Sequence, residues 1–131
     1  MAGKLHFDLV SPERLLLSED VDMVVAPGVE GEFGVLLGHA PLVTVLRPGV
    51  VSVHDEKAVR RIFVRGGFAE VNAAGLTVLA EEAFDLAEVN VEVLNQRIKN
   101  AEEDLADAQT DAARTAAQAN LEGLRVIRDS L

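Results

Sequence analysis

The residues that interrupt regular structure are confined to one part of this chain. All four prolines and nine of the ten glycines lie at or before Gly75; beyond it stand one glycine, Gly123, and no proline. Glycine and proline punctuate secondary structure, so the first part must turn repeatedly while the second can run as long helices. The densest punctuation falls between Gly28 and Leu42, with glycines at 28, 31, 34 and 38 and a closing His39-Ala40-Pro41. Glycines at such spacing mark backbone conformations that a Cβ forbids, or close approach of another backbone. Pro41 removes a donor and biases Ala40 towards an extended shape. The run is too irregular for a helix and too rich in glycine for a plain strand. It predicts a long, shaped loop between two hydrophobic strands. A phosphate loop would need a following helix, with Lys-Ser/Thr at its start. Here the following residues, 41–46, read as strand, and Glu30 and Glu32 would repel an anion. A structural or docking loop is the reading the residues support.

The remainder of the first part reads as short strands. Leu5, Phe7 and Leu9 alternate with His6 and Asp8, the period of a half-buried strand. A turn at Ser11-Pro12-Glu13 precedes a short apolar segment at 15–17, and a third segment spans 21–26. Strands follow at 42–46, 50–54, 58–65, 68–71 and 76–80, divided by Pro48-Gly49, Asp55-Glu56-Lys57, Gly66-Gly67 and Asn72-Ala73-Ala74-Gly75. In the strand at 58–65, Val59, Ile62 and Val64 imply a slip of phase at Arg60-Arg61. Turn signals about every ten residues, with no helical crossover, predict an antiparallel sandwich or barrel.

From about Glu88 the period changes. Val91, Leu94, Ile98, Ala101, Leu105 and Ala108 step by three or four, as do Ala113, Ala117, Leu121, Leu124, Ile127 and Leu131. Gln109-Thr110-Asp111 separates the two stripes, with Thr110 or Asp111 as the N-cap of the second helix. Two helices on so short a link form a hairpin. Narrow, alanine-rich stripes bury little area, and each helix alone is marginal in water, which predicts a hairpin loosely bound to the β part. The fold class is therefore α+β: an N-terminal antiparallel β-sandwich or barrel, residues 1–86, followed by an antiparallel αα-hairpin, residues 87–131.

Charge and composition narrow the function. The 131 residues carry a formal net charge of −10, which disfavours nucleic acid and anionic lipid as direct partners. With no cysteine there is no disulfide or thiolate zinc site. No apolar run reaches membrane-helix length, and no signal-peptide core follows Met1 to Lys4. Aromatic residues are only 4 % against 49 % hydrophobic, so the core is aliphatic. His6, His39 and His54 lack the spacing of a helical zinc motif, and none of the serines lies in a Gly-x-Ser-x-Gly elbow. His39 reads as a hydrogen-bonding anchor of the loop. Glu81-Glu82 and Asp85 read as a charged strand exit; a hydrolase using Glu81, Glu82 or a histidine is the catalytic reading to test. On a strand, Arg61 and Arg65 share one face and Arg60 faces away; they pair with acidic neighbours or dock a partner's carboxylates.

These residues resemble a known family. Gly28-x-Glu30-Gly31-x-x-Gly34-x-Leu36-x-Gly38-His39-Ala40-Pro41-Leu42 is similar to the signature loop of the epsilon subunit of F-type ATP synthases. Leu9-Val10-Ser11-Pro12-Glu13, Pro48-Gly49, Gly66-Gly67-Phe68-x-Glu70-Val71 and Leu124-Arg125-Val126-Ile127 match further segments in order. The resemblance spans nearly the whole chain. It implies a sandwich of about ten strands with a C-terminal hairpin, and a non-catalytic subunit of the central stalk. That subunit couples proton-driven rotation to ATP synthesis and has no cofactor.

The partners implied are the gamma subunit, the membrane rotor ring and the alpha/beta catalytic head, at the cytoplasmic face of a bacterial inner membrane. There is no nucleic acid and no direct membrane insertion. Glu30, Glu32, Leu36 and His39 are the implied rotor-ring or gamma contacts, Glu32 foremost. Arg114, Arg125 and Arg128 are the implied contacts to the head, through which the hairpin restrains hydrolysis in many members. Some members bind ATP at Ile/Leu-Asp-x-x-Arg-Ala on the first helix. Here Val91-Glu92-Val93-Leu94-Asn95-Gln96 lacks both the Asp and the Arg. That predicts no strong ATP binding and disfavours the alternative of a nucleotide-sensing regulatory module.

Overall fold

The structure, a computed structural model, describes residues 3–131; Met1 and Ala2, part of the expectation for the N-terminus, lie outside the described residues. It divides into two compact units after Asp85. The first holds ten strands: β1 (Leu5–Val10), β2 (Leu15–Val21), β3 (Met23–Gly28), β4 (Gly31–Val35), β5 (Leu42–Val45), β6 (Gly49–Asp55), β7 (Ala58–Arg65), β8 (Phe68–Asn72), β9 (Gly75–Leu79) and β10 (Glu82–Asp85). They form two five-stranded sheets, ordered β2-β1-β9-β8-β5 and β10-β7-β6-β3-β4. The two inner faces share one core. Leu5, Phe7, Leu9, Ala69, Leu76 and Val78 of the first sheet meet Val24, Val35, Val51, Val53, Ile62 and Val64 of the second. Burying each large aliphatic or aromatic side chain contributes about 1.5–3 kcal/mol.

Several sequence expectations need correction. Part of the glycine run is a strand: Gly31–Val35 pairs with Val24–Gly28 in continuous register. Backbone hydrogen bonds to β3 and burial of Val35 outweigh the poor strand propensity of glycine. The free loop is thereby reduced to residues 36–41. The sheets are antiparallel except for one pair, β1 with β9, which is parallel. No helical crossover is needed there, because the chain returns through the strands of the second sheet. Glu82–Asp85, read as a charged exit, is strand β10 and pairs with Arg65–Ile62. The segment read as 21–26 is split, with Val21 closing β2 and Met23 opening β3. The phase slip at Arg60-Arg61 is absent. β7 pairs with β6 without interruption from Ala58 to Val64, and Val59 lies on the outer face, 52 % exposed.

The second unit opens with a 3-10 turn (Leu86–Glu88) and continues as α1 (Val91–Asp107) and α2 (Asp111–Ser130). Asn90 caps α1, its side chain accepting from Val93 N at 3.1 Å. Thr110 caps α2, accepting from Ala113 N at 3.0 Å. Leu94, Ile98 and Ala101 of α1 and Leu121, Leu124 and Ile127 of α2 are buried. Val91, Ala113 and Leu131, expected in the stripes, are exposed; each lies within a turn of a helix end. No helix among the described residues is long and apolar enough to cross a membrane.

Candidate docking surface

The glycine run is shaped by hydrogen bonds to both sheets. Val29 N donates to Val45 O at 3.0 Å, and Arg47 N donates to Pro27 O at 3.0 Å. Arg47 Nε adds a bond to Gly28 O at 3.2 Å. These bonds tie the β3–β4 turn, an element of the second sheet, to β5 at the edge of the first. Glu30 and Glu32 stand exposed on the turn and on β4. Together with Phe33, Leu42 and Thr44 they line a shallow groove between the two edge strands.

Residues 36–41 leave β4 as a tight turn, His39 N donating to Leu36 O at 3.1 Å. Gly38 takes φ +88, which any side chain would resist. His39 Nδ1 lies 2.6 Å from Ala40 O, a donor contact that makes the ring an anchor for the turn. Leu36 and Leu37 are left 56 % and 53 % exposed. This turn, the β8–β9 turn and the start of β1 enclose a cleft bordered by both His6 and His39. Among the described residues, however, no group of acids and histidines is placed to hold a metal ion.

A second feature emerges only from strand register. Val45 lies opposite Phe68, Phe68 opposite Leu79, Leu79 opposite Val10, and Val10 opposite Leu15. The side chains of Leu9, Ala69 and Val78, one residue away, are in the core. Side chains alternate along a strand, so Val10, Val45, Phe68 and Leu79 point outward; Leu15, paired with Val10 across a register shift in the β1–β2 ladder, joins them as an exposed side chain. One apolar row therefore crosses all five strands of the first sheet. Its ends are open, with Val45 59 %, Phe68 41 % and Leu15 58 % exposed. A contiguous apolar surface with a polar border marks an interaction site. The signal was present as apolar pairs that break alternation: Leu9-Val10, Val45-Leu46 and Val78-Leu79.

The next outward rows are polar except for Val43 at the sheet edge, 66 % exposed. Val43, Glu70, Thr77, Asp8 and Ser18 align across the sheet, followed by Asn72, His6 and Asp20. His6 Nδ1 lies 2.9 Å from Asp20 Oδ1, and its Nε2 lies 3.1 Å from Asp8 Oδ1. The bond to Asp20, with the charges of Asp8 and Asp20, raises the imidazole above its ordinary pKa. Sequence reading missed this cluster, because Asp20 reaches His6 only through the β1–β2 pairing. Beside it, the Lys4 ammonium bonds Asp55 and lies 3.1 Å from Asp22, whose Oδ2 accepts from Glu56 N at 2.6 Å. The amide of Glu56 and the ammonium hold the Asp22 carboxyl below its usual range.

The other residues singled out in the sequence are dispersed. Arg60 pairs with Glu19, and Arg65 lies 3.9 Å from Glu82 and 5.9 Å from the ring centre of Phe63. Glu81 is exposed and His54 sits half-buried on β6, apart from His6 and His39 in the fold. Arg114 pairs with Asp111 at 3.1 Å and Arg128 with Asp129 at 3.5 Å, while Arg125 is half-buried on α2. Glu92 and Asn95 are exposed on α1.

Comparison with known proteins agrees with this geometry. The family model for the ATP synthase delta/epsilon chain, β-sandwich domain, matches residues 4–85. The ATP synthase epsilon chain of Parvibaculum lavamentivorans is 54 % identical over 132 aligned residues, covering 100 % of both chains. That of Rhodospirillum rubrum is 52 % identical over 91 % of this chain and 90 % of its own. A solved chain in the OSCP, F1 and c-ring assembly of Euglena gracilis mitochondrial ATP synthase superposes with a TM-score of 0.85 at 27 % identity, covering 98 % of this chain and 81 % of that one. A chain from the central stalk and c-ring of the Tetrahymena thermophila mitochondrial ATP synthase shares the fold, with a TM-score of 0.72 at 20 % identity over 98 % and 97 % of the two chains. On the sandwich match and the full-length relatives together, this chain belongs to the family of ATP synthase epsilon chains.

Proposed function

We propose that this chain is a non-catalytic central-stalk subunit that docks on the gamma subunit through the outer face of its first sheet. The observation that carries this reading is the apolar row Leu15, Val10, Leu79, Phe68 and Val45, left open on a folded sandwich. Such a row buries apolar area against a partner at little ordering cost, because five strands hold it rigid. The turn bearing Glu30, Glu32, Leu36 and His39 then faces the polar loops of the rotor ring, with Glu32 making the polar contact. In this arrangement the sandwich turns with the ring and passes torque along the stalk, at the cytoplasmic face of the membrane. The hairpin, residues 87–131, is the regulatory part, and Arg114, Arg125 and Arg128 are its cations toward the catalytic head, Arg114 and Arg128 exchanging their exposed pairs with Asp111 and Asp129 for carboxylates of the head.

The test is capture of purified gamma subunit by the full chain and by Leu15→Lys and Val45→Lys. Both positions are more than half exposed, so the substitutions should move stability by no more than about 0.5 kcal/mol. Each should weaken capture by about tenfold or more, as loss of an interface anchor does. Undiminished capture by the double variant would remove this face from the stalk interface.

A further inference from the structure

We propose that docking on the first sheet is proton-linked: His6 gives up a proton to solvent as a basic side chain of the stalk partner settles against Asp8 and Asp20. The proposal rests on the docking reading above and deepens it. His6, Asp8 and Val10 alternate along β1 on the same outer face. Residues two apart on a strand are about 6.6 Å apart, so His6 sits about 13 Å from the apolar row, inside the footprint of a partner covering the sheet. Its side chain is 46 % exposed and within reach of that partner.

The charges on this face are unbalanced. Asp8 and Asp20 flank the two ring nitrogens at 3.1 and 2.9 Å, and Glu70 lies two strands away in the same row as Asp8. Asp8 Oδ1 is shielded from solvent, and His6 Nε2 at 3.1 Å offers it an ion-pair contact without hydrogen-bond geometry. Just before β1, Lys4 is committed to Asp22 and Asp55. From β2 come Asp20 and the Ser18 hydroxyl, 3.4 Å from Nε2. From β8, Glu70 accepts from Asn72 Nδ2 at 3.2 Å, and β9 faces the cluster with Thr77 and Gly75, which do not titrate. His39, across the cleft, is bonded to Ala40 O.

In the free chain the imidazolium thus serves both carboxylates. A guanidinium or ammonium arriving from the partner carries a permanent charge and takes over that role. Two cations crowded on one carboxylate pair repel, and the one that can discharge is the imidazole. The proton passes to buffer, and neutral His6 keeps one ring N–H for Asp20. Docking then strengthens as pH rises through the range in which free His6 is charged, by up to about tenfold per pH unit for one proton.

The experiment is calorimetric titration of full-length chain with purified gamma subunit, across neutral pH, in two buffers of different ionisation heat. Release of up to about one proton per complex is expected for the wild type. His6→Gln should dock without release and with a flat pH profile. Circular dichroism checks its fold, and an imidazole NMR titration of the free wild type locates the His6 pKa. Docking without proton exchange, docking with uptake, release undiminished in His6→Gln, or a free His6 titrating at or below its ordinary value each overturns the proposal. Absence of docking at every pH overturns the docking reading and this one together, whereas docking without release overturns this one alone.

Discussion

Gly67 offers a direct check on how the sandwich is held closed. It joins β7 to β8 at φ +100, and a Cβ there would lie 1.8 Å from Leu79 O and 2.8 Å from Leu79 C. Its carbonyl also accepts from Leu46 N at 3.0 Å. A methyl group at this point cannot be absorbed by rotating a side chain, because the obstacle is backbone. Leu79 must retreat by more than an ångström, which splays the end of the β8–β9 pair where Phe68 faces Leu79. The dihedral strain costs about 1–3 kcal/mol. The weakened hydrogen bond adds about 1 kcal/mol, and overpacking a further ~1–3 kcal/mol.

Gly31 is the internal control. It has φ +135, with nothing within 4 Å of its Cβ position, so Gly31→Ala meets only the dihedral cost. Thermal unfolding followed by the β signal of circular dichroism should place the two variants apart. At about 4–8 °C per kcal/mol for a unit of this size, Gly67→Ala should lose roughly 15 °C or more, and Gly31→Ala roughly half that or less. If Gly67→Ala proves no costlier than Gly31→Ala, the close approach of β9 to this turn is wrong.

Other expectations follow from particular residues. Thr110→Ala should remove about 1 kcal/mol from the hairpin, read as a loss of helical signal on warming. The last turn of α1 has no basic residue and carries Asp104 and Asp107, so Asp107→Lys should stabilise the helix by about 0.3–1 kcal/mol, measured by the same signal. Asp22 is held below its usual pKa; its contribution is present above the unfolded value and is lost as pH falls through the folded one. Asp22→Asn should therefore flatten the acid limb of a stability–pH curve and leave the neutral-to-alkaline part unchanged in slope. A chain ending at Glu88 should keep its β signal and still capture the gamma subunit; an unfolded product would mean that the two units fold as one.

Much of this architecture was legible from local signals. The confinement of proline and glycine to one part separated a turning segment from a helical one, because those residues act on their own backbone. Alternation placed Leu5, Phe7 and Leu9 in the core, and the side chain of Thr110 announced the start of α2 through a bond to an amide three residues on. The glycine run misled where a distant strand intervened: β3 recruits Gly31–Val35 by hydrogen bonding that no property of those five residues foretells. Val10, Leu15, Val45, Phe68 and Leu79 look like stray apolar residues along the chain. Their alignment into a row depends on how five strands are ordered and in what register. The same holds for Asp20 beside His6. Local chemistry, then, decided where the backbone bends and which faces are greasy; long-range pairing alone decided which exposed groups stand together, because cross-strand neighbours are set by hydrogen bonds between residues far apart in sequence.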